Sequence, residues 1–135
     1  MANVVRIEEA VRAMLNASPA VGTLVDTRIS HGYRLQNTIL PAITYEVVSA
    51  VQQSLSGGTE LWLASVEINV IASSTKEALD VLPALRIACV KGTYGTAVFE
   101  AVMWNGHTTS AAVVGEGDEQ EPAEVTASID IYYRD

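Results

Sequence analysis

The sequence predicts an α+β fold, a mostly antiparallel sheet with helices packed on one face, in the order α-α-β-β-β-α-β-β. Three observations carry that prediction. The hydrophobic period is about 3.6 near the start of the chain, switches to about 2 after Leu40-Pro41, returns to the helical value after Ser74 and ends strand-like. Capping residues stand where each helical stretch begins, and glycine or proline stands where the period changes. With 135 residues, 49% of them hydrophobic, the chain makes one domain, residues 1–135, whose core needs no disulfide or metal.

Asn3 is placed to cap a first helix running to Asn16, in which Val4, Ile7, Val11 and Met14 form one stripe. Glu8 and Arg12 lie one turn apart on its wet face, where such a pair adds only a few tenths of a kcal/mol, so packing of the stripe must hold the helix. Ser18-Pro19, a cap followed by proline at the first helical position, starts a short second helix through Leu24 and Val25. Asp26 to Gly32 reads as a turn and a short strand. From Ala42 to Ser49, Ile43, Tyr45 and Val47 alternate with Thr44 and Glu46, the pattern of a half-buried strand. Gly57-Gly58 separates it from Leu61 to Ala72, and the two runs pair as an antiparallel hairpin with a long tip.

Ser74 and Glu77 have the spacing of a capping box and open a third helix, with Ala78, Leu82, Leu85 and Cys89 on its inner stripe. Pro83 removes a backbone donor inside it, which predicts a kink or a broken turn. Lys91-Gly92 ends it. Ala97 to Trp104 and Ala123 to Tyr133 are the last two strands. Trp62 and Trp104 are expected in the core. Leu61, Leu63 and Ile71 stand on the face opposite Trp62, Val66 and Val70, so this strand needs cover on both sides. A neighbouring subunit can supply the second cover, which makes Leu61, Leu63 and Ile71 candidate subunit-interface residues.

Eight basic residues against sixteen acidic ones give a net charge of -8. Residues 1–114 carry only -2 of it, and residues 115–135 carry -6. The acidity is centred on Gly115 to Pro122, where Glu116, Asp118, Glu119 and Glu121, with Glu124 beyond, form a candidate partner-facing acidic loop. Such a surface repels duplex DNA rather than gripping it. The single cysteine permits no internal disulfide. The longest uncharged runs fall short of the ~20 apolar residues that span a bilayer, so no membrane partner is expected. Arg6, Glu8 and Glu9 interrupt any apolar signal core, which predicts a protein that is not exported.

No arrangement of residues specifies catalysis. His31, His107 and Cys89 provide no zinc spacing, and Cys89 belongs to an apolar stripe. His107, beside Thr108, Thr109 and Ser110, reads as a polar turn residue, and no serine sits in a G-x-S-x-G elbow. The acidic cluster lacks the spacing of an EF-hand loop. Neither Gly57-Gly58 nor Gly92-x-x-Gly95 has the context of a phosphate cradle. No catalytic residue, metal ligand or cofactor is predicted.

The joint order of these segments resembles the tail terminator, or tail completion, proteins of long-tailed bacteriophages and gene transfer agents, which act in head-tail joining. The resemblance rests on Glu9-Ala10-Val11-Arg12-Ala13-Met14-Leu15, the Ser18-Pro19-Ala20-Val21 turn, Thr27-Arg28-Ile29 and Leu40-Pro41-Ala42-Ile43-Thr44-Tyr45-Glu46-Val47. It continues through the strand from Ala64 to Val70, the helix after it and the closing Tyr132-Tyr133-Arg134. Pro83 departs from the alanine-rich third helix of that family. The resemblance implies a non-enzymatic virion protein, made in the host cytoplasm and placed at the head-proximal end of the tail. It implies a homo-oligomer, a hexameric ring that binds the major tail tube protein, terminates its polymerisation, meets the neck connector proteins and lets DNA pass without specific binding. On that reading Gln52, Gln53 and Leu55 join Leu61, Leu63 and Ile71 as the candidate subunit or tube interface, and the acidic loop with Glu116, Asp118, Glu119, Glu121 and Glu124 faces a partner or the lumen. A head-tail adaptor or stopper of the neck shares the size and acidity, and a small ligand-binding α+β protein using His107 or the acidic loop is the alternative from another class.

Overall fold

A computed structural model of the chain describes residues 6–26, 28–32, 40–53, 61–110 and 123–134. Helix α1 (Ile7–Asn16) buries Ala10, Val11, Met14 and Leu15. Its first turn begins after Arg6, and the predicted Asn3 cap and Val4 lie outside the described residues. Helix α2 (Pro19–Val25) starts as its sequence dictates: Ser18 Oγ accepts the Val21 N–H, and proline occupies the first turn. Helix α3 (Thr75–Ala88) is capped by Ser74, whose Oγ accepts the Glu77 N–H at 3.1 Å. The helix is continuous through Pro83.

Among the described residues six strands form one sheet in the order β1-β2-β3-β6-β5-β4. They are β1 (Ile29–His31), β2 (Ala42–Gln53), β3 (Leu61–Ala72), β4 (Gly92–Tyr94), β5 (Ala97–Ser110) and β6 (Ala123–Arg134). The β1–β2 pair is parallel and the other described pairs are antiparallel. The predicted hairpin of β2 and β3 is present, with Ile43 opposite Val70 and Glu46 opposite Glu67. Three features differ from the expectation. A short strand, β4, follows α3 where only a stop signal was read, and β2 and β5 run on to Gln53 and Ser110. Trp62 and Trp104 are half-buried rather than fully enclosed.

The alternation of β3 and β6 fixes the layers. Ala64, Val66, Ile68 and Val70 lie with Val125, Ala127, Ile129 and Ile131 on a fully buried face, which packs against α3. Helix α1 touches β1 and β4, the two edge strands at opposite ends of the sheet order, so the sheet curls towards the helices along the line joining them. Phe99, Tyr94 and Tyr133 form an aromatic cluster at one end, with ring centroids 4.9 Å and 6.4 Å apart.

Candidate functional site

Among the described residues, all three helices use one face of the sheet and the other face carries no helix. Successive strand residues point to opposite sides, so the register places the residues of this second face. Thr44, Asn69 and Thr126 form one row across three strands. Asn69 Nδ2 donates to Thr44 Oγ1 at 3.3 Å, and Thr126 Oγ1 donates to Asn69 Oδ1 at 2.7 Å. Two rows above, Ser65 Oγ donates to Asp130 at 3.1 Å. Between them Glu46 and Glu67 face each other directly, both exposed, and among the described residues neither has a cationic partner. Like charges in that position are destabilising.

One end of the same face is apolar. Val51, Leu63, Tyr132 and Ala101 stand side by side across four strands. Next to them Arg134 forms a salt bridge with Glu100 at 3.2 Å. The face therefore combines an apolar band, a hydrogen-bonded polar row and a surplus of carboxylates: Glu46, Glu67, Asp130 and Glu124.

The predicted interface residues do not all meet. Leu61 and Leu63 are half-buried on the uncovered face near the apolar band, whereas Ile71 is some eight residues away along β3, roughly 26 Å at a strand's rise, and sits opposite Glu124. Gln52 is exposed but lies across from Trp62, on the helix side of the sheet. Leu55 and the side chain of Gln53 lie outside the described residues, as do Glu116, Asp118, Glu119 and Glu121. Glu124 is the one member of the acidic group that is described, half-buried on the uncovered face. Sequence reading missed Val51, Tyr132 and the Glu46–Glu67 opposition. The alternation that sends Tyr133 inwards already sends Tyr132 outwards, so that signal was available.

His107 is not in a turn. It lies within β5, opposite Ala127, and lines a groove of about 550 Å³ between β5 and α3 with Leu79, Leu82, Pro83, Arg86, Ile87 and Trp104. His31 packs against Tyr45, ring centroids 5.2 Å apart, beside Glu8, Glu9, Arg6 and Arg12. Burial raises the Tyr45 phenol, Arg12 opposes that shift, and Glu8 and Glu9 add to it. Burial pushes the Cys89 thiol up to about 12, so it stays protonated and is no nucleophile at neutral pH. Among the described residues no group of His, Cys, Asp and Glu side chains is placed to hold a metal ion, and no helix is long and apolar enough to cross a membrane.

The chemistry on offer is that of surfaces. A chain in the virion of a native gene transfer agent particle has the same fold, with a TM-score of 0.69 at 11% identity, covering 95% of this chain and 93% of that one. No curated protein matches in sequence. The family model of the tail completion protein gp17 matches residues 9–134, so this chain belongs to the tail completion protein gp17 family, whose members are structural rather than enzymatic.

Proposed function

We propose that the protein forms a ring at the head-proximal end of a tail tube, ends polymerisation of the tube protein, joins the tail to the neck and leaves an open channel for DNA. The observation that carries this reading is the uncovered sheet face. A face that carries no helix among the described residues, with Glu46 set against Glu67 and with Asp130 and Glu124 on the same side, gives up stability for negative charge. Facing a channel, those carboxylates deny DNA the phosphate contacts that would stall it. The acidic stretch from Glu116 to Glu121 adds either to the channel or to a rim that meets a basic partner.

Electron microscopy of the purified protein, alone and with tail tubes, tests the reading. Rings or extra density at one tube end are expected; bare tube ends and no rings would refute it. Neutralising Glu116, Asp118, Glu119 and Glu121 together separates the two positions for the loop. Failed joining with normal rings places it on the rim, and slow DNA ejection after normal joining places it in the channel.

A further inference from the structure

The sheet leaves two corners without a strand partner among the described residues, and they are complementary. β1 covers the outer edge of β2 only from Ile43 to Tyr45, so Glu46 to Gln53 have no described strand beside them. β4 covers the outer edge of β5 only from Ala97 to Phe99, which leaves Glu100 to Ser110 in the same condition. β2, β3, β6 and β5 alternate in direction, so β2 and β5 run oppositely. An outer edge of β2 from one copy can therefore pair antiparallel with the outer edge of β5 from the next. Unpaired strand edges of this length are templates for another strand.

From these corners we infer that neighbouring copies join head to tail by this strand addition, residues 46–53 of one against residues 101–110 of the next, and that the uncovered face thereby lines the channel. The inference rests on the ring reading above and specifies how the ring is built. Side chains support it. Val48 and Val51 are 59% and 56% exposed at one corner; at the other, Met103 is exposed on the face without described helices, and on the opposite face Trp104 and His107 border the α3 groove, where Ile87 is 67% exposed. An added β2 strand would lie along β5 and cover the mouth of that groove. Each corner also holds a bulge, between Val47 and Ser49 and between Trp104 and Gly106, and bulges bend and twist the strand that carries them.

Curvature decides which face is inside. A twisted sheet is saddle-shaped: if one pair of opposite corners lifts towards one face, the other pair lifts towards the opposite face. The corners at β1 and β4 lift towards α1. The two free corners therefore bend the other way, and a chain of copies joined through them closes with the uncovered face concave. Because the contact uses two different surfaces, rotation rather than two-fold pairing closes it, as a ring requires.

Amide hydrogen exchange on the wild-type protein, dispersed and assembled free or on tail tubes, tests this directly. Assembly should slow exchange at residues 46–53 and 101–110 by at least tenfold. Two variants add a second readout. Ala50→Pro acts on the face shared with Ile43, whose N–H points outward to Arg28, and His107→Pro acts on the β5 edge. Each alone should stop at monomers, and their mixture should stop at dimers, because each partner keeps one intact edge. Assemblies whose two edges exchange as fast as in the dispersed protein would overturn the strand addition while leaving the ring; the absence of any assembly would overturn the ring itself.

Discussion

At the scale of single residues, burial governs the chemistry more than identity does. Cys89 closes α3 with 8% of its surface exposed, and its thiol is pushed from 9.0 up to about 12 by desolvation. Because the folded value is raised, the native state holds the proton after the unfolded chain has lost it. The resulting stability is fully present below pH 9 and is lost as pH rises towards 12, at most about 4 kcal/mol for a shift of that size. Urea titrations at pH 8 and pH 11 should show a drop that Cys89→Ala removes in part, the remainder coming from Tyr45 and Tyr94, whose phenols are also raised by burial. An identical loss in the variant would refute the assignment. The sequence already placed Cys89 on an apolar stripe, and the structure agrees. It misled at His107, because Thr108, Thr109 and Ser110 beside it look like a turn, whereas they belong to β5, where His107, Thr108 and Thr109 are exposed.

The same cause operates at the scale of elements. Period and caps located α2, α3 and β3 well, since each has one face in the core and another in water. Sequence reading ended β2 at Ser49 and β5 at Trp104, yet both continue. Alternation records a covered face, and Ser49 to Gln52 and His107 to Thr109 are exposed throughout, so no alternation exists to be read. β4, three residues long, is too short to show any period. Cross-strand rows were equally hidden, because register is not written in either strand alone. Asn69 is the clearest case: a polar residue in an apolar run becomes the link between Thr44 and Thr126. Asn69→Ala removes both bonds and strands the hydroxyl of Thr44, which is buried, so a loss of about 1–3 kcal/mol is expected from chemical denaturation. Gly106 closes the second of two bulges in β5 at a φ of 126°, with open space around its α-carbon. Gly106→Ala should cost about 1–3 kcal/mol through backbone strain alone, and an unchanged melting temperature would show that the bulge relaxes.

For the whole molecule, the distribution of charge separates a stability role from an assembly role. The chain's net charge of -8 is uneven in sequence, most of it lying in residues 115–135, and apart from that stretch the sheet face that carries no described helix sets Glu46 against Glu67. No fold requires that opposition: a lysine at either position would convert repulsion into a cross-strand ion pair. Glu67→Lys is therefore expected to raise the stability of the isolated protein by about 0.2–1 kcal/mol. In the proposed ring the same change would place a cation on the channel wall in every subunit. Particles carrying it should assemble and join normally but eject DNA more slowly, and the delay should shrink as salt rises and screens the phosphate contacts. Stability and ejection thus move in opposite directions under one substitution. Faster melting of the variant would mean that Glu67 has a favourable partner in the native fold. Greater stability with unchanged ejection at low salt would place the face away from DNA and return the acidic rim to first position as the purpose of the charge.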